Sequence, residues 1–123
     1  MPMEMEEFEL LVESAVKSVP ARFKAILEKE GMKVLPRERP SRTAQAEAPG
    51  RLLFGMFIGA PYTQKSVFNS ALEPARIEIY KEGLERAFAD PREMERQVRV
   101  TVIHEIGHFF GFSEEELREH LEG

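Results

Sequence analysis

The sequence contains no cysteine and no tryptophan. Without thiols there is no disulfide framework and no thiolate zinc cluster, so any metal must be held by His, Asp or Glu. Histidine is scarce as well: there are 3 in 123 residues, and two of them stand close together near the C-terminus. Lys and Arg form no dense basic block and the net charge is -5, which disfavours a nucleic-acid partner. No apolar run approaches the roughly 20 residues needed to span a bilayer, so no membrane partner is expected. The start, MPMEMEEFELL, lacks the basic residues and apolar stretch of a signal peptide, and a cytoplasmic protein is the expectation. What is present is an ordinary globular mixture, 42% apolar and 32% charged. It is long enough for a single domain, 1–123, with its own core.

Hydrophobic spacing predicts a helix over Met3 to Val19, broken by Pro20, and a second over Ala21 to Glu30, stopped by Gly31. Met32 to Leu35 reads as a short strand ended by Pro36. The stretch PRERPSRTAQAEAPG, residues 36–50, holds three prolines and no large apolar residue, and reads as a flexible loop. RLLFGMFIG is apolar on both faces, which suits a central strand. Residues 59–74 read as a loop. RIEIY, Arg76 to Tyr80, alternates cleanly and reads as an edge strand guarded by its charges. A helical turn is expected over Leu84 to Ala89. The longest helix should run from Pro91 to Phe110, with Asp90 as N-cap, Glu93 completing a capping box and Gly111 as the stop. Ser113 caps a short terminal helix, with Glu116 three residues on. Helices flanking a small sheet make the fold class α+β.

The long helix carries the chemistry. At about 100° per residue, Val98, Val102, Ile106 and Phe109 share one face. His104 and His108 lie on the other side, with Gln97 and Thr101. Two imidazoles four residues apart are neighbours on a helix and can share one metal at about 2.0–2.1 Å. Glu105 points to the flank, where it can reach a metal-bound water and take its proton as general base. His-Glu-x-x-His thus encodes two ligands and one base. A third ligand is needed. Gly111 lets the chain turn, and Glu114 follows just beyond it. Spacing alone leaves Glu114 open between ligation and the acid-rich start of a capped helix.

LLFGMFIGAPYTQKS, then RIEIYKEGLERAFADPREMERQVRVTVIHEIGHFFGFSEEEL, resembles the minimal zincins, a bacterial family of short metallopeptidase-like proteins long listed as a domain of unknown function. The resemblance spans about Arg51 to Leu121, and EEFELLVESAVKSVPARF is similar to the family's N-terminal helix. It implies a zincin-like α+β fold: a small sheet packed with N-terminal helices, a long motif helix and a short C-terminal helix. It also implies the extended motif His-Glu-x-x-His-x-x-Gly-x-x-Asp. His104, Glu105, His108 and Gly111 match, and Glu114 stands where Asp is frequent, which favours Glu114 as the third ligand. The methionine turn of metzincins is missing, since the last methionine is Met94, upstream of the motif.

The expected function is that of a metallopeptidase hydrolysing peptide bonds, with one zinc ion per chain and a peptide or protein substrate. Nickel, cobalt or iron could use the same ligands. Arg76, Glu78 and Tyr80 are the candidate substrate-binding residues, through pairing of an extended peptide with an edge strand. Tyr80, Arg76, Tyr62 and His120 are candidate donors to the oxyanion. The alternative is a metal-stabilised module that binds peptides or proteins without turnover. Oligomeric state is not legible.

Overall fold

The computed structural model describes residues 3–59 and 75–122, apart from the side chains of Thr43, Glu114, His120, Leu121 and Glu122. Among the described residues, six helices flank a small mixed sheet, so the fold is α+β. They run α1 (Met5–Lys17), α2 (Ala21–Glu30), β1 (Lys33–Arg37), α3 (Arg42–Glu47), β2 (Gly55–Ile58), β3 (Arg76–Tyr80), α4 (Lys81–Ala87), α5 (Pro91–Phe110) and α6 (Glu114–Glu122). None of these helices is long and apolar enough to cross a membrane.

The sheet order is β1-β3-β2, with β1 parallel and β2 antiparallel to β3. This corrects the expected roles of the two best strands. RIEIY is the middle strand, and the apolar RLLFGMFIG supplies only a four-residue edge strand, Gly55–Ile58. Ile77 and Ile79 are fully buried and join the core that α5 and α1 share. The alternate residues, read as a charged edge, are enclosed too. Glu78 is 4% exposed and Tyr80 0%. The Tyr80 hydroxyl donates to Glu78 Oε1 at 3.0 Å, and Arg76 Nε and Arg37 Nε approach Glu78 Oε2 at 3.2 and 3.5 Å. A buried carboxylate persists when its oxygens are occupied by donors and cations, as here.

Three boundaries differ from expectation. β1 continues through Pro36 to Arg37, because it lies at a sheet edge, where proline is tolerated. The expected flexible loop over 36–50 contains α3. Its N-cap Ser41 accepts a bond from Ala44 N–H at 3.1 Å, and Ala44 is fully buried. α4 starts directly after β3, three residues before the expected turn at Leu84. The loop expected over 59–74 lies almost wholly outside the described residues.

α5 follows its local signals closely. Asp90 accepts from Arg92 N–H at 2.9 Å and Pro91 occupies the first turn. Glu93 does not close a capping box: its carboxylate takes Gln97 Nε2 at 3.0 Å and Arg96 Nη1 at 3.3 Å instead. Val98, Val102, Ile106 and Phe109 are at most 1% exposed. Burying such side chains contributes about 1.5–3 kcal/mol each. The stripe packs against Phe8, Val12 and Ala15 of α1 and the isoleucines of β3 within one core. The opposite side of α5 is thereby left to carry other chemistry.

Candidate metal centre

His104, Gly107, His108 and Gly111 fall at positions i, i+3, i+4 and i+7, one stripe of α5. His104 is half-buried and His108 exposed, as expected for a pair outside the core. The helix ends on this stripe. Gly111 has φ +74°, a conformation that glycine adopts without strain. Gly111 N–H bonds to His108 O at 3.2 Å and Phe112 N–H returns to Gly107 O at 2.9 Å, a Schellman closure. Ser113 and Glu116 then form a reciprocal capping box: Glu116 N–H to Ser113 Oγ and Ser113 N–H to Glu116 Oε1, both 3.1 Å. Glu114 is the first residue of α6.

Glu105 lies between the histidines and β2. Its carboxylate accepts a hydrogen bond from the main-chain N–H of Phe57. Burial pushes the carboxyl above its usual range, while His108, the Phe57 N–H and His104 each pull it part of the way back. Both imidazoles are thus close enough to stabilise its charge.

β2 reaches this position because Gly55 has no side chain. A Cβ there would stand 2.7 Å from Glu78 O and 2.8 Å from Thr101 Cγ2. Phe57 then packs on Phe109 of α5, ring centroids 5.3 Å apart. The register decides which main-chain groups face outward. Tyr80 N–H bonds to Phe54 O at 2.9 Å, so Phe54–Tyr80, Met56–Glu78 and Ile58–Arg76 are the hydrogen-bonded pairs. Gly55 and Phe57 therefore turn their N–H and C=O groups away from β3, and one of these N–H groups meets Glu105.

Donor chemistry fits a borderline cation such as zinc: two imidazoles one turn apart on a non-core stripe, a carboxylate at their flank, and no thiol. Among the described residues no group of three His, Asp or Glu side chains converges. The Glu114 and His120 side chains, and Tyr62, lie outside the described residues. Of the other expected site residues, Glu105, His104 and His108 are brought together. Arg76, Glu78 and Tyr80 form a network under the sheet, and the Tyr80 phenol also feels the charge of Glu105. As residues of a middle strand they offer no free main chain to a peptide, which corrects the expected edge-strand role. The outer edge that sequence reasoning missed is that of Gly55 and Phe57, which no strand among the described residues covers. An available signal was the pair of glycines bounding GMFIG, since glycine inside a strand pattern marks close backbone approach.

A profile of the family described as zincin-like metallopeptidase matches residues 29–123, over three-quarters of the chain. The matched span takes in residues 36–50, where no resemblance was recognisable, and leaves α1 outside. No curated protein matches the chain.

Proposed function

The chain belongs to the zincin-like metallopeptidase family, and we propose that it is a zinc-dependent peptidase acting on peptides laid along the outer edge of β2. His104, His108 and Glu114 would hold one zinc ion. When bound, zinc supplies a Lewis acid for a carbonyl oxygen and lowers the pKa of its water to about 7. The observation that carries the reading is Glu105. It is a partly buried carboxylate beside two imidazoles and in hydrogen-bond contact with an outward N–H of an edge strand.

Each residue has a task. Glu105 takes a proton from the attacking water as its oxygen bonds to the peptide carbon, then passes that proton to the departing amine nitrogen. Burial raises its affinity for that proton, which strengthens it as the base in the first half of the transfer. The outward N–H and C=O groups of Gly55 and Phe57 pair with substrate backbone and hold it extended. Gly55 keeps β2 close to α5, so the paired bond lies near Glu105. Such pairing reads backbone rather than side chains, so peptide or protein substrates are the class expected.

Metal content and turnover test this together. Elemental analysis of tag-free protein should find about one zinc per chain, and none in a His104→Ala/His108→Ala double variant. A broad peptide library should be cleaved by wild type and spared by Glu105→Gln. A folded wild type that takes up no zinc overturns the site. Saturable peptide binding without products, zinc being present, makes the protein a binding module instead.

A further inference from the structure

The stripe that carries the histidines also carries Gly107, in the last turn of α5, where glycine is a poorer helix former than alanine. Its reason is α6. A Cβ at Gly107 would lie within van der Waals contact of the Leu117 side chain at three atoms, Cδ2 nearest, then Cδ1 at 2.8 Å and Cγ at 3.0 Å. Leu117 is fully buried. Turning it about Cβ–Cγ would move both methyls but leave Cγ in place, and swinging it about Cα–Cβ would drive a fully buried side chain into its neighbours, so a methyl at 107 presses α6 away from α5. The carbonyl of Gly107 also receives the returning N–H of Phe112. One residue therefore takes the turn's closing bond on its carbonyl and the next helix on its α-carbon. Positions 114 and 117 are three apart in α6 and lie on one face of it.

Resting on the zinc-site reading above, we propose that Gly107 and Leu117 form a clamp that positions Glu114 for the metal. They are positioning residues and touch no metal. Non-bonded carbons sit at about 3.5–4.0 Å, so a methyl at 107 pushes Leu117, and with it the first turn of α6, outward by up to about 1 Å. Metal sites tolerate ligand displacements of about 0.2 Å. Gly111 and the Ser113–Glu116 box set the direction in which the chain leaves α5, and the clamp sets how closely α6 returns to the histidine stripe. Neither the glycine nor the leucine belongs to the two-ligand, one-base code of His-Glu-x-x-His.

The test is zinc affinity by competition with a chelating dye, with the visible spectrum of the cobalt(II) form as a readout of coordination. Gly107→Ala should bind zinc about 10–100-fold more weakly, the range found for residues that orient ligands. Its cobalt form should show the weaker bands of a site where water replaces a protein ligand. Leu117→Ala should also weaken binding, because α6 is no longer held. Gly107→Ala/Leu117→Ala, with the clash relieved, should recover affinity relative to Gly107→Ala, although it has lost more packing. A purely structural role predicts the reverse, with affinity following melting temperature. If Gly107→Ala does not fold, Leu117→Ala and the double variant decide. Wild-type affinity in Leu117→Ala, or a double variant that binds no better than either single one, overturns the clamp. A wild type that takes up no zinc overturns the site, and the clamp with it.

Discussion

Replacing Tyr80 by phenylalanine removes one hydroxyl from beneath the sheet and leaves the packed volume almost unchanged. Tyr80 is fully buried and its hydroxyl donates to Glu78 Oε1 at 3.0 Å, so water does not take over when it is lost. Hydrogen bonds to charged groups contribute about 1.5–3 kcal/mol. Arg76 and Arg37 keep their hold on Glu78 Oε2, which points to the lower end, about 1.5 kcal/mol. For a domain of this size that lowers Tm by about 5 °C. A second readout is independent of packing. Burial, the hydrogen bond to Glu78 and the charge of Glu78 push the Tyr80 phenol well above its ordinary value, with Arg76 opposing and the charge of Glu105 adding a little. A raised folded pKa means stability that is fully present below about pH 10, the unfolded value, and lost as pH climbs toward the folded one. Wild type should therefore unfold in alkali together with a late-ionising phenol. Tyr80→Phe should lack that late tyrosinate absorbance, and its deficit against wild type should shrink as pH rises beyond 10. Circular-dichroism melts at pH 7 and an absorbance titration measure both. A Tyr80→Phe protein that melts like wild type at neutral pH refutes the buried network. So does a wild-type phenol that ionises at ordinary pH.

Glu105→Gln should act in opposite directions on stability and turnover. Burial raises the Glu105 carboxyl, so its ionised form weighs against the metal-free fold as pH rises above the unfolded value of about 4.3. The variant should melt higher than wild type at pH 7, with the gap closing toward pH 4, while hydrolysis falls by about 10²–10⁴; equal melting temperatures at both pH values would refute the burial. Gly55→Ala should destabilise by about 1–3 kcal/mol through its contacts with Glu78 O and Thr101, and lower peptide turnover by moving β2 away from α5, as denaturant titration and a peptide assay would show. Lys81→Met should be strongly destabilising. The residue is 4% exposed and its ammonium bonds to Glu85 at 2.8 Å, with Glu38 at 3.4 Å; both carboxylates keep access to water, so losing these charged hydrogen bonds costs about 1.5–3 kcal/mol. The Lys81 pKa is raised, chiefly by the bond to Glu85, so the wild-type advantage should persist to about pH 10 and fade above it.

The helices were legible because their signals are local. Asp90, Pro91 and Gly111 bound α5 without help from the rest of the chain, and the Ser113–Glu116 spacing announces α6. The candidate cluster was legible for the same reason: His104, Glu105 and His108 fall within little more than one turn of one helix. The exchange of edge and centre between β2 and β3 was not. Charges at Arg76 and Glu78 suggest an exposed edge, yet they neutralise each other beneath the sheet with Arg37 and Tyr80, partners that β1 and the strand's own end supply. α3 escaped because a short polar helix has no apolar stripe to recur. The bond from Phe57 N–H to Glu105 depends on β2 lying over α5, a tertiary fact. Gly107 was visible as a glycine inside a helical pattern, but its partner lies across a turn.

The outward main chain of Gly55 and Phe57 also bears on solubility. An open strand edge is a template on which a second copy of the chain can pair and begin to aggregate. In the resting protein the carboxylate of Glu105 covers one of its donors, and a charged group there repels the regular ladder that a growing assembly needs. On the function proposed above, the same carboxylate would double as a gatekeeper, shielding this donor until a peptide strand competes for it.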